Sequence, residues 1–224
     1  MRNGPKTPVY KDAYMFQQRE PIITSTVQLI ALEEDKILLV HHKKYSEKRV
    51  GWGLPGGGVP CEDENGDTDK SKITEMMLDS IINRFLWFYK LGTPEEFAKD
   101  IGENHTDIND PNIFLTVIKE GIEETGLLFF PESIMLVDPS PGGINLVYVI
   151  KVRRLRGKLL KSSIETDNSC WFPTDGLPEA DGSPEGIYRN HLSRIERALQ
   201  ANCPEMKVGT KKSNIVSDGK EWNR

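Results

Sequence analysis

Nowhere does the chain contain the roughly 18 consecutive apolar residues that a membrane-spanning helix needs, and Met1 to Glu20 hold no apolar run of the kind a secretory signal uses. The expectation is a cytoplasmic protein that meets no membrane. Cysteine is scarce: Cys61, Cys170 and Cys203 are odd in number, and their spacing fits neither a zinc site nor a disulfide framework, so they read as reduced thiols. A surplus of basic residues is also missing. The formal net charge is -5, whereas a protein that tracks a nucleic-acid strand carries excess Lys and Arg. This argues against a polymer partner and leaves a single phosphate ester, bound through a metal, as an open option. The histidines His41, His42, His105 and His191 are dispersed or paired in loops and read as surface residues without a metal role. Of these, His191 near the final helix is the one worth testing.

What is present suits one folded domain carrying an insertion: 224 residues, 37% hydrophobic and 28% charged. Ile23, Val27, Leu29 and Ala31 alternate with Thr24, Thr26 and Gln28, the pattern of a half-buried strand. The polar break Glu33-Glu34-Asp35-Lys36 before Ile37-Leu38-Leu39-Val40 predicts a hairpin. Gly51 to Val59 is too rich in glycine for the interior of an element and predicts a shaped loop. Helical spacing then runs over Asp69–Lys90. A second helix is announced by Thr93-Pro94-Glu95-Glu96, a cap, a first-turn proline and a capping box, and is expected to end at Gly102. A third starts at Asp110-Pro111 and ends at Gly126. Strands are expected over Ile134–Val137, Ile144–Val152 and Ser163–Phe172, and an amphipathic helix over Pro184–Leu199. Residues 201–224 show little periodicity and predict a poorly ordered tail. No internal repeat is visible.

The third helix carries Glu120, Glu123 and Glu124 at i, i+3 and i+4, so three carboxylates share one face of one turn. They repel one another, and near the helix end the macrodipole also disfavours them, each conflict costing on the order of a few tenths to about 1 kcal/mol. A divalent cation would reverse both terms, because carboxylate oxygens are hard ligands suited to Mg²⁺. A solvated acidic face accounts for this helix equally well if it is taken alone. The Gly56-Gly57-Gly58 run is, by itself, as compatible with a plain turn as with a close backbone approach to a metal or phosphate.

Together, Gly51-Trp52-Gly53-Leu54-Pro55-Gly56-Gly57-Gly58-Val59 and Lys119-Glu120-Gly121-Ile122-Glu123-Glu124-Thr125-Gly126-Leu127 resemble the two halves of the box that marks the Nudix hydrolases. Trp171-Phe172-Pro173, preceded by Glu165, and the C-terminal amphipathic helix are similar to the segments that close that family's sheet, so the resemblance covers roughly residues 22 to 200. The sequence departs from the family pattern in three places. With five residues between them, Gly57 is followed by Asp63 and Gly58 by Glu64, so the first acid of the box is shortened or shifted by one. Lys119 replaces the family's Arg and offers a point charge rather than a fork. Asn65 to Asp110 fills what is a short stretch in the family, and could extend the pocket, form a dimer surface or cap the core. Within it, Trp87, Phe88 and Tyr89 could stack a base or pack in a core or a dimer.

The resemblance implies an α/β fold, an α/β/α sandwich with a mixed sheet, in which 1–200 form one domain with a helical insertion at 65–110. It implies an enzyme that uses Mg²⁺, with Mn²⁺ as an alternative, to hydrolyse a phosphoanhydride bond in a small nucleoside diphosphate derivative. Glu120, Glu123, Glu124 and the Gly56 carbonyl would hold the metal, Lys119 would orient the helix or neutralise charge, and Gly57, Gly58 and Pro141 would meet substrate. The general base stays open among a box glutamate, Glu165, Glu179, Asp181 and Glu185. Asp138-Pro139-Ser140-Pro141-Gly142-Gly143 resembles the proline-bearing loop of ADP-ribose and related sugar-diphosphate hydrolases, and equally a proline-rich turn. ADP-ribose or another nucleoside diphosphate sugar is the leading substrate expectation. A nucleoside triphosphate pyrophosphohydrolase and a non-catalytic nucleotide-sensing module are the alternatives. A homodimer fits the family and the aromatic insertion.

Overall fold

Val27, Leu29 and Ala31 on one parity of the first strand, and Ile30 on the other, are all sealed from solvent, so this strand is covered on both faces. The computed structural model describes residues 24–42, 51–59, 83–139, 145–163 and 165–211, and in it the covering layers are helices. Strand β1 (Thr24–Glu33) turns at Glu34, which takes φ 56°, into β2 (Lys36–His42). The two pair antiparallel only next to the turn, Leu32 with Ile37 and Glu33 with Lys36, and then part.

Away from that corner, β1 pairs in parallel with β6 (Asn145–Gly157), which continues antiparallel to β5 (Leu127–Pro139), while the short β4 (Gly58–Val59) closes the other edge of β1. Strand β2 pairs antiparallel with β3 (Gly51–Gly53) and with β7 (Thr166–Pro173). The result is a mixed sheet splayed at the β1–β2 turn. It opens where the glycine loop between β3 and β4 meets the end of a helix.

Four helices are described: α1 (Asn83–Phe88), α2 (Pro94–Glu103), α3 (Pro111–Thr125) and α4 (Arg189–Asn202). On one face of the sheet Val27, Leu29 and Ala31 pack with Ile113 and Val117 of α3. On the other, Ile30, Leu39 and Val149 pack with Ile195, Ala198 and Leu199 of α4. The α/β/α sandwich expected from the sequence is thus the observed architecture. None of the described helices is long and apolar enough to cross a membrane.

Chain order shows how the insertion is held. Leu86, Leu91 and Phe97 pack on Leu115, Ile118 and Ile122, the outer face of α3, and Arg156 of β6 forms ion pairs with Asp100 and Glu96 of α2. The described part of the insertion therefore caps α3. Trp87 and Phe88 remain outside this core at 80% and 67% exposure. Of the helix expected over Asp69–Lys90, residues up to 82 lie outside the described residues, as do Asp63 and Glu64.

Several boundaries differ from the sequence expectation. The α2 capping box forms as expected, but the helix passes Gly102 to end at Glu103. The strand expected at Ile134–Val137 begins at Leu127, because Leu127 to Phe130 are buried on both faces and show no alternation. The last helix starts at Arg189 rather than Pro184, because the preceding backbone serves the sheet: Trp52 N–H donates to Gly186 O at 2.8 Å and Tyr188 N–H to Trp52 O at 2.9 Å. Within the expected tail, Met206 and Val208 pack on the α4 side of the core, and β9 (Thr210–Lys211) pairs in parallel with β8 (Leu177–Pro178). Residues 212–224 lie outside the described residues.

Candidate active site

Helix α3 is built to stop at a fixed place. Asp110 caps its start, accepting from the backbone of Asn112 at 2.8 Å and Ile113 at 3.3 Å. Gly126 ends it with φ 72°, its N–H donating to Ile122 O at 2.9 Å. Gly121, unfavourable inside a helix on propensity alone, is there for packing: a Cβ on it would lie 2.6 Å from Cδ2 of Phe129. The last-turn carbonyl of Glu124 is taken by the hydroxyls of Thr166 at 3.0 Å and Ser169 at 3.4 Å. Those two residues tie β7 to the acidic turn.

The glycine loop is pinned from the opposite side. Val27 N–H donates to Gly57 O at 2.9 Å and Leu29 N–H to Pro55 O at 2.8 Å, so the carbonyls flanking Gly56 are committed to β1. Gly56 lies at φ +154°, and a Cβ there would stand 2.1 Å from the Val27 carbonyl, which makes glycine obligatory. Its N–H donates to Oε2 of Glu124 at 2.8 Å. A Cβ on Gly57 would fall 2.4 Å from the Glu120 carboxylate. Glycine therefore lets the loop lie directly against two of the three helix carboxylates.

Glu120 and Glu124 are buried, and together with the exposed Glu165 they bring one carboxylate oxygen each to within 4.8 Å of the others. Glu165 is set by a small hydroxyl-centred turn in which its own N–H and that of Thr166 each donate to Ser163 Oγ at 3.1 Å. Glu123 is half-exposed and stays with Lys119, 2.9 Å away, while the same ammonium reaches Glu120 at 3.0 Å. Burial would pull the Lys119 ammonium down, but its bonds to Glu123 and Glu120 outweigh that and hold its pKa above the ordinary lysine range. Burial pushes the Glu124 carboxyl up to about 8 against the opposing bond from Gly56, with Glu120 and Glu165 adding repulsion. Burial raises Glu120 as well.

A crowded group of hard oxygen donors, two of them removed from water and offset by one lysine, has the chemistry of a divalent-cation site. The donor set fits Mg²⁺ or Mn²⁺. Of the residues picked from sequence, Lys119, Glu120, Glu123, Glu124, Gly56 and Gly57 all lie at this junction, with Gly58 beside them in β4; Pro141 lies outside the described residues. Of the four later acids considered as bases, Glu165 reaches the cluster, while Glu179, Asp181 and Glu185 belong to the loop before α4, where the Asp181 carboxylate is held by Ser183 N–H at 2.9 Å.

The histidines differ from their expected surface role. His41 is buried, 2.6 Å from Asp167 Oδ1 and 2.7 Å from the Pro184 carbonyl. His42 Nδ1 stands 3.7 Å from Glu124 Oε1. His191 accepts a hydrogen bond from Leu54 N–H at 2.9 Å. Only His105, beside Asp107, is on the surface as expected.

No protein-family model and no curated protein matches this chain. Solved structures do. A UDP-X diphosphatase matches over 92% of this chain and 76% of its own at 15% identity and TM-score 0.50. A NUDIX hydrolase from Nitrosomonas europaea matches over 87% and 81% at 14% identity and TM-score 0.48. An ADP-ribose pyrophosphatase from Streptococcus suis 89-1591 matches over 84% and 99% at 19% identity and TM-score 0.46. Identities this low speak for architecture rather than chemistry. With the box residues of α3 and the glycine loop brought face to face in a mixed-sheet sandwich, the chain has the Nudix fold.

Proposed function

We propose that the protein is a divalent-metal-dependent hydrolase of a phosphoanhydride bond in a nucleoside diphosphate derivative. The observation that carries this reading is the convergence of Glu120, Glu124 and Glu165 beneath the glycine loop. A non-catalytic module has no use for carboxylates held together at the expense of burial and mutual repulsion. The likeness to a UDP-X diphosphatase supports the substrate class.

Glu120, Glu124 and the Gly56 carbonyl would hold the cation, with Glu123 as a further ligand. Swinging Glu123 inward gives up an i,i+4 pair to a half-exposed lysine, a loss of about 0.3–0.5 kcal/mol, which is small beside the charge a divalent ion would neutralise. Lys119 then keeps Glu120 in place through the bond it already makes. When bound, the cation would clamp phosphate oxygens and lower the pKa of a water. Glu165, exposed at the rim of the cluster, would take the proton from an attacking water. Gly57 and Gly58 would meet substrate phosphate through their backbone.

The leading substrate is ADP-ribose or another nucleoside diphosphate sugar, giving a nucleoside monophosphate and a sugar phosphate. What supports this choice is the sequence Asp138-Pro139-Ser140-Pro141-Gly142-Gly143, of which residues 140–143 lie outside the described residues. Incubation with nucleoside diphosphate sugars, dinucleotides and triphosphates in Mg²⁺, with products resolved by chromatography, tests it. Sugar phosphate release supports the reading; inorganic pyrophosphate from triphosphates alone would replace it with the triphosphate reading. No turnover of any substrate would favour a sensing module.

A further inference from the structure

Leu54 leads into the glycine loop from β3, and its amide is sealed in the core, with Leu54 itself 1% exposed. Its acceptor is not backbone: the N–H points at Nδ1 of His191, 2.9 Å away on α4. Two residues on, Gly56 N–H is held by Glu124. The loop is thus tied to β1 by Pro55 and Gly57, to α3 by Gly56, and to α4 by Leu54.

We propose that His191 is a positioning residue that sets the glycine loop, and with it the Gly56 carbonyl, over the carboxylate cluster; this rests on the metal-site reading above. Three observations carry it. First, the ring lies against the backbone in a place only glycine leaves open, since a Cβ on Gly53 would stand 2.8 Å from His191 Nδ1 and 3.0 Å from Tyr188 Cδ2. Second, the tautomer is defined. A backbone N–H can only donate, so Nδ1 is the bare nitrogen, and in the neutral ring Nε2 carries the proton.

Third, the ring is held from behind. The Gln28 amide nitrogen stands 2.9 Å from His191 Nε2, with the amide oxygen 3.4 Å from Arg194 Nη1. With Nε2 protonated, a half-turn of the carboxamide gives His191 the oxygen, and Arg194 keeps Asp138 at 2.8 Å through Nε. Gln28 therefore meets the imidazole at Nε2 while Leu54 meets it at Nδ1. Outer groups of this kind decide how well ligands are presented to a metal.

The test compares His191→Leu with His191→Asn, whose side-chain oxygen can take the place of Nδ1. Amide hydrogen exchange of the metal-free protein and Mn²⁺ affinity by electron paramagnetic resonance are both read. His191→Leu should speed exchange at Leu54 and Gly56 by roughly tenfold or more while amides in β6 stay protected, and should weaken Mn²⁺ roughly tenfold or more. His191→Asn should return both toward wild type. Should His191→Leu not fold, His191→Gln, which lacks an acceptor at the Nδ1 position, takes its part. If the Asn variant behaves like the Leu variant, or loop exchange does not change, His191 is a packing residue and the proposal falls. A wild-type protein that binds no Mn²⁺ would sink the metal-site reading instead, and the exchange data would still decide whether His191 sets the loop.

Discussion

Gly56 and Glu124 are joined by a 2.8 Å hydrogen bond from the loop amide to the helix carboxylate, so the loop and the acidic turn move as one unit. Replacing Glu124 with Gln keeps an acceptor for that amide but removes the group that ionises to bind metal. The metal-free variant should melt no lower than wild type near neutral pH, and the rise in melting temperature on adding Mg²⁺ should disappear. Glu124→Leu should also leave the amide unpaired, at about 1–3 kcal/mol. Thermal melts of the three proteins with and without Mg²⁺ separate the two roles.

The raised carboxyl of Glu124 makes stability depend on pH in a defined direction. In the metal-free fold it stays protonated up to about 8, whereas in the unfolded chain it ionises near 4.5. Between those values the unfolded chain binds fewer protons than the fold, so stability falls as pH rises and the loss is complete above the folded value. The fall should amount to roughly a few kcal/mol. Metal binding requires the ionised form, so the stabilisation given by Mg²⁺ should grow over the same window. Urea midpoints measured across it in chelator and in Mg²⁺ should diverge as pH increases; parallel curves would remove Glu124 from the site.

Glycines of the box should fail for different reasons. Gly121→Ala gains about 1 kcal/mol of helix propensity but drives a methyl to within 2.6 Å of Phe129, an overpacking cost of about 1–3 kcal/mol, so the net effect should be a modest loss of stability. Gly57→Ala places its methyl on the Glu120 carboxylate and should lose metal affinity with little change in unfolding free energy. Denaturation and Mn²⁺ titration of both variants show the opposite pattern if the assignment is wrong.

Helix α3 was legible because its ends are written in residues with local physics: Asp110-Pro111 at the start and Gly126 in the left-handed conformation at the finish. Helical spacing put Glu120 and Glu124 on one face, and the glycine loop together with the resemblance to the Nudix box favoured a metal site over a solvated acidic face. Glu165 did not stand out from Glu179, Asp181 and Glu185, since what brings it to the cluster is long-range: β2 pairing with β7 and the hydroxyls of Thr166 and Ser169 on the Glu124 carbonyl. The first part of β5 was missed for a related reason. Leu127 to Phe130 are covered on both faces, which erases the alternation that marks a half-buried strand. The roles of His41 and His191 depend on acceptors and donors far along the chain and leave no local pattern.

Asp138 should be a stability residue near the end of β5. It holds Arg194 at 2.8 Å and Arg197 at 2.6 Å, and although burial would raise its carboxyl, the bonds from Arg197 and Arg194 keep it below the usual range. Asp138→Asn leaves the Arg194 guanidinium buried without a counter-charge and should cost about 3–5 kcal/mol. Arg197→Ala, removing a half-exposed partner, should cost no more than about 1 kcal/mol. Chemical denaturation of the pair checks the ratio.

The most direct measurement is Mn²⁺ binding followed by electron paramagnetic resonance in the wild-type protein and in the double variant Glu120→Gln, Glu124→Gln. One bound ion per chain in the wild type and none in the double variant, with both proteins folded, is the expected result. Equal binding by the two, or no binding by the wild type at millimolar metal, would contradict a cation site between the glycine loop and α3.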